Sequence, residues 1–172
     1  MATGKIEWTL LHHGQWKLYI AKTAQGLCYI GSPGASFEEM EAFTRKRFPE
    51  AELEENAEAL AAYTRELGEY FSGIRTSLTL PVDAKGTVFQ EEVWKALCQI
   101  PYGKTVSYSE IATLINRPSA VRAVGTAIGA NPVLIAVPCH RVIGKSGAIT
   151  GYRGGLELKR FLLGLETGIS GT

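Results

Sequence analysis

Between Trp16 and Gly31 the chain reads WKLYIAKTAQGLCYIG, two β-rich runs around Thr23 to Gly26, and this pattern predicts a hairpin. The period then lengthens. Ser36 followed three residues later by Glu39 is a capping-box start for a helix over FEEMEAFTRKRF, which Pro49 stops. Leu60, Tyr63, Leu67, Tyr70 and Phe71 recur at helical spacing, predicting a second helix over about 57–71 that ends near Gly73. SLTLPVDAKG reads as a strand followed by a linker. Beyond it helical signals dominate. Thr87 with Gln90 opens a helix through VFQEEVWKALCQI, ended by Pro101 and the PYGK turn. Ser107 with Glu110 opens YSEIATLIN, and after the brief turn RPS, Ser119 caps AVRAVGTAIGA. Asn131-Pro132 must end that last helix, because the proline ring restricts the residue before it.

These elements predict an α+β protein in two parts. Residues 1–85 form a small supporting domain, a short antiparallel sheet with helices, and residues 86–172 form a mostly helical domain. Two short helices joined by about three residues have the outline of a helix-turn-helix, which any compact helical hairpin shares. On the second of them Ala123, Ala127 and Ala130 fall on one stripe, with Thr126 and Gly129 close by and Arg122 at its edge. Such a flat face fits either a tight helix–helix contact or close approach to a nucleic-acid groove.

Charge sharpens the division. Residues 1–85 hold 9 Lys and Arg against 12 Asp and Glu, a net −3, whereas residues 86–172 hold 9 against 5, a net +4. The second half is thus the better partner for a polyanion. At 172 residues with 45% hydrophobic content the chain has the material of a soluble globular protein. No apolar run approaches the roughly 18 residues a membrane span needs, and MATGKIEWTLLHHG lacks the regions of a secretion signal, so a cytosolic location is expected. Three cysteines make neither a disulfide framework nor a CxxC knuckle.

Candidate chemistry gathers in NPVLIAVPCHRVIG, residues 131–144, where an apolar run meets a Pro-Cys-His-Arg cluster and closes on Gly144. A cysteine is nucleophilic only as thiolate, and less than about a tenth is ionised at neutral pH at an ordinary thiol pKa. Lowering that pKa by roughly 2 to 3 units requires about 3 to 4 kcal/mol, which an imidazole and a helix N-terminus could supply. Adjacent residues diverge, so His140 would reach Cys139 through a water. Glu166, at the end of LELKRFLLGLE, opposes the helix dipole and so calls for a separate explanation; an acid orienting the imidazole would provide one. A Cys-His pair in isolation is more often a buried structural feature than a catalytic one. His12 and His13 read as surface or core-edge residues, and Cys98, at a helical position near Trp94, as core.

PCHRVIG with NP seven residues upstream, GYRGGLELKRFLLGLE downstream and FQEEVWKALCQIPYGKTVSYSEIA before the hairpin together resemble the O6-alkylguanine-DNA alkyltransferases, densely and in order over residues 86–166. The resemblance implies direct, irreversible, single-turnover transfer of an alkyl group from guanine O6, and from thymine O4, in duplex DNA. Cys139 resembles the acceptor, His140 the base that takes its proton through water, and Glu166 the group fixing the imidazole tautomer. Asn131 is similar to the hinge asparagine, and Tyr108 to the phenol that meets the guanine as it leaves. Tyr152, Arg153, Gly154, Val142 and Trp94 would wall the pocket. Arg122 resembles the finger that fills the stack when the base turns out through the minor groove. Ala123 and Ala127 would lie against that groove, while Tyr108, Ser109, Arg117 and Lys145 would touch the DNA backbone. The resemblance implies no cofactor and a monomer whose partner is double-stranded DNA. The first domain matches only loosely. Some relatives bind zinc there, but Cys28, His12 and His13 are too few ligands, so no metal is expected. Two rivals fit less well: an alkyltransferase-like binding protein would lack the acceptor cysteine, and a Cys-His hydrolase would leave the two-helix outline unexplained.

Overall fold

The computed structural model describes residues 4–168. It divides between Lys85 and Gly86 into two units, each with its own core. In the first, β1 (Lys5–His13), β2 (Trp16–Lys22) and β3 (Leu27–Ile30) form an antiparallel meander, with a register shift at Ala21/Lys22. The predicted hairpin is thus β2–β3. After helix α1 (Phe37–Arg47), a short strand β4 (Glu52–Glu55) pairs parallel with β1, giving the order β3-β2-β1-β4. Helix α2 (Ala61–Phe71) completes the unit.

Ile6, Ala21, Cys28 and Tyr29 of the sheet pack with Met40 of α1, bordered by Trp8, Tyr19, Phe37 and Phe43. Ser36 caps α1 as expected, its hydroxyl accepting from the Glu39 amide. α2 begins at Ala61 rather than near residue 57 and buries Tyr63, Leu67, Tyr70 and Phe71. SLTLPVDAKG forms no strand. Only an isolated bridge joins Val82 to Leu27, because side chains hold the segment instead: Glu66 accepts from the Thr79 amide and hydroxyl at 2.9 and 2.6 Å, and Thr23 donates to Asp83 at 2.6 Å.

The second unit is mostly helical. Helix α3 (Val88–Leu97) starts at a full capping box between Thr87 and Gln90. Strand β5 (Val106–Ser107) leads directly into α4 (Tyr108–Leu114), where Ser107 and Glu110 form a second capping box. α5 (Val121–Gly129) follows, then the segment 130–138, a 3₁₀ turn Cys139–Arg141, strand β6 (Val142–Ile143) and α6 (Leu156–Thr167). β5 and β6 pair parallel. The link between α4 and α5 is longer than RPS. It runs from Ile115 to Ala120 through Asn116 at φ 61°, and α5 is preceded by Ala120 without a side-chain cap, so Ser119 caps nothing. The architecture is α+β: a small sheet with helices, then a helical unit.

Candidate active site

The run VLIAV is buried except for the half-buried Ala136, and it turns sharply: Ile135, a β-branched residue, sits at φ 73°, a conformation that persists only where packing enforces it. Asn131 organises the turn. Its Oδ1 accepts from the Val133 amide at 2.9 Å, while Nδ2 donates to the Val137 carbonyl at 2.9 Å and to Cys139 Sγ at 3.2 Å. The C-terminal end of α5 is thereby tied to the sulfur. Arg153 Nε donates to the Asn131 carbonyl at 2.9 Å.

Cys139 is 3% exposed. Burial pushes its thiol up from the ordinary value, and the Asn131 amide, Arg153 and Lys159 pull against that effect without reversing it. Burial thus works against the thiolate that nucleophilic attack needs, and these three groups work for it. His140 is fully buried, and its Nε2 lies 2.6 Å from Glu166 Oε2. Its Nδ1 has no hydrogen-bond partner among the described residues. Burial pushes the imidazole down from its ordinary value, with Glu166 opposing, so the ring is held neutral.

Glu166, in the last turn of α6, has the separate explanation that its position required. Besides His140 it accepts from Arg141, whose Nε lies 2.7 Å from Oε1 and whose second terminal nitrogen lies 3.2 Å from Oε2. The remaining guanidinium nitrogen donates to the Ile100 carbonyl at 2.7 Å. This fork-shaped, charge-assisted pairing fixes the carboxylate that fixes the imidazole. Gly103, at φ 82°, approaches Glu166 so closely that an added Cβ would stand 3.0 Å from its carbonyl oxygen.

Around this relay the structure gathers Tyr108, half-buried, whose hydroxyl shares a 2.8 Å bond with Thr150, and Tyr152, whose ring centre is 6.4 Å from that of His140. Val142 is buried, and Gly154 is required by space, since a Cβ there would meet Tyr152 at 2.6 Å. Trp94 belongs elsewhere. It is buried in α3 and its indole N–H donates to the Ala127 carbonyl at 2.8 Å, so it packs α3 against α5 and is corrected from pocket wall to core.

The alanine stripe of α5 is likewise split. Arg122, Ala123, Thr126, Gly129 and Ala130 are exposed, but Ala127 is buried beneath Trp94 and cannot meet an external partner. Lys145 is exposed and Ser109 half-buried. Arg117 is exposed and already meets Glu92 at 3.3 Å and the face of Phe89 at 5.8 Å. Cys98 is exposed at the end of α3, correcting its expected core position. His12 is exposed, and His13 stacks on Phe71.

Sequence reasoning missed Arg141, Lys159 and Thr150. Lys159 carried a readable signal: with Leu158, Leu162 and Glu166 it occupies the buried face of α6, where a charge is costly unless paired. Among the described residues no group of three or more His, Cys, Asp or Glu could hold a metal, and no helix is long and apolar enough to cross a membrane.

Residues 88–168 match the model of the 6-O-methylguanine DNA methyltransferase DNA binding domain, and residues 6–84 that of its ribonuclease-like domain. The chain is 55% identical over 168 residues to the inducible methylated-DNA–protein-cysteine methyltransferase of Bacillus subtilis, covering 96% of this chain and 94% of that protein. It is also similar to the crystal structure of Mycobacterium tuberculosis O6-methylguanine methyltransferase, with a TM-score of 0.82, 38% identity and coverage of 96% and 94%. A crystal structure of the same organism's protein in complex with DNA superposes with a TM-score of 0.79 at 37% identity, covering 96% and 94%.

Proposed function

The chain belongs to the 6-O-methylguanine DNA methyltransferase family and acts as a methylated-DNA–protein-cysteine methyltransferase, and on that premise we propose that Cys139 is the acceptor, used once and irreversibly. The observation that carries this reading is the buried His140–Glu166 pair beside the one cysteine whose sulfur a side-chain amide holds. The thiol proton passes through a water to His140 Nδ1, and Glu166 compensates the imidazolium so formed. The sulfur lone pair then forms a bond to the alkyl carbon, and the electrons of the broken C–O6 bond remain on the guanine, which takes up a proton. Tyr108 hydrogen-bonds the base as that charge develops. Asn131, Glu166 and Arg141 act as positioning residues.

The target atom lies inside a stacked duplex, so the base must be turned out, at about a few kcal/mol. α4 and α5 serve as a helix-turn-helix that presents the small outer face of α5 to the minor groove, with Arg122 entering the stack. Ser109, Arg117 and Lys145 contact phosphates. The same pocket accepts O4-alkylthymine, and the protein works as a cytosolic monomer, residues 1–85 supporting the acceptor unit. Mass measurement after incubation with a duplex carrying O6-methylguanine tests the reading. A gain of one methyl group on Cys139, at one equivalent of DNA, supports it; repeated turnover, or no gain, overturns it.

A further inference from the structure

Lys159 is 1% exposed, yet among the described residues no carboxylate pairs with it. Its ammonium donates to the carbonyls of Val142, at 2.7 Å, and Thr150, at 3.1 Å, and stands 6.0 Å from the centre of the Tyr152 ring. Carbonyl dipoles offset only part of the cost of burying a full charge, so an unpaired buried lysine needs a further reason. Every other charge in the site is committed. Glu166, on the same helix, is taken by His140 and Arg141. His140 is held neutral, and Arg153 is itself a cation, bonded to the Asn131 carbonyl. Tyr108 faces this region only through Thr150. Besides the Tyr152 phenol, which meets the ammonium with its ring, the group that can become an anion within the field of Lys159 is Cys139, and the two influence each other reciprocally. Val142, which anchors the ammonium, follows directly on the turn that carries the sulfur.

We propose that Lys159 is the resident counter-cation of the Cys139 thiolate: charge created on sulfur as its proton leaves is met by an ammonium already buried against the same turn. This role of Lys159 rests on Cys139 being the alkyl acceptor. In the transfer the thiol proton goes to His140, the sulfur electrons enter the new S–C bond, and Lys159 keeps all its protons. The geometry also explains why a neutral His140 suffices as base. Desolvation that disfavours the thiolate is countered by Lys159, while the relay's own carboxylate is spent on holding the imidazole and Arg141.

Full-length protein and its Lys159→Gln and Lys159→Arg variants are to be alkylated with iodoacetamide across a pH series, the rate at Cys139 being read by peptide mass. Lys159→Gln is expected to move the midpoint of the rate profile upward by about one pH unit, about a tenfold loss of rate at pH 7, and Lys159→Arg to restore most of it. A merely structural role would lower the melting temperature and leave the midpoint in place, and that result in a folded Gln variant overturns the proposal. Should the Gln variant fail to fold, carbon-13 NMR titration of Lys159 decides. Its midpoint falls in Cys139→Ser if the sulfur supplies the counter-charge, and an unchanged midpoint rejects the pairing. Iodoacetamide reports on the sulfur whether or not the chain takes a methyl from DNA. A wild-type protein that never gains a methyl would therefore sink the repair reading while leaving the Lys159 measurement meaningful.

Discussion

Two side chains separate chemistry from delivery. Arg122 is exposed on α5, outside the buried relay, so Arg122→Ala is expected to slow repair of duplex DNA at least about tenfold, or about 1.4 kcal/mol of lost support for an extruded base, while reaction with free O6-benzylguanine is unchanged. Equal losses on both substrates would remove it from the stack. Glu166 is different, because its carboxylate is buried and doubly engaged. Glu166→Gln keeps the shape but leaves Arg141 without its counter-charge, and urea denaturation should show a loss of about 3 kcal/mol. The same variant should move the pH profile of Cys139 alkylation upward; an unmoved profile would mean that the carboxylate only holds the fold.

At the scale of elements, α4 begins at Tyr108 with no loop between it and β5, so one capping serine sets both the helix start and the direction of the phenol. Ser107→Ala should cost about 1 kcal/mol in urea denaturation and reduce alkyl uptake, and Ser107→Thr should recover both. Full uptake by the Ala variant would show that the cap does not position Tyr108. That cap, like those at Thr87 and Ser36, was legible in the sequence because a hydroxyl and its partner three residues on are a local, steric arrangement. The buried run before Cys139 was legible as well, and the family resemblance pointed to Cys139, His140, Asn131 and Glu166, among which the structure makes the Asn131–Cys139 and His140–Glu166 hydrogen bonds. What stayed hidden was set by packing. Ala127 lies on a sequence stripe with Ala123 and Ala130, but the indole of Trp94 claims its side of the helix. Strand β4, ELEE, has a polar pattern and exists because the edge of β1 is free to pair. The thiol's upward shift follows from burial by segments distant in sequence, which no motif records.

For the molecule as a whole, acid sensitivity should trace largely to one ring. Folding lowers the His140 pKa below its ordinary 6.5, so beneath that pH the unfolded chain binds a proton that the folded chain refuses. Stability is then full above about pH 6.5 and falls as the pH drops below it. The urea midpoint of residues 86–168, followed by amide NMR signals, should decline between about pH 7 and 5.5, and His140→Gln should flatten the decline; an equally steep decline in the variant would assign it to other groups. The fork on Glu166 joins the last turn of α6, the turn bearing Cys139 and, through Arg141, the carbonyl at the end of α3. A change at Glu166 therefore disturbs the relay and the packing of three segments together. Under the proposed single use of Cys139, total alkyl uptake by a sample becomes a census of its sound molecules.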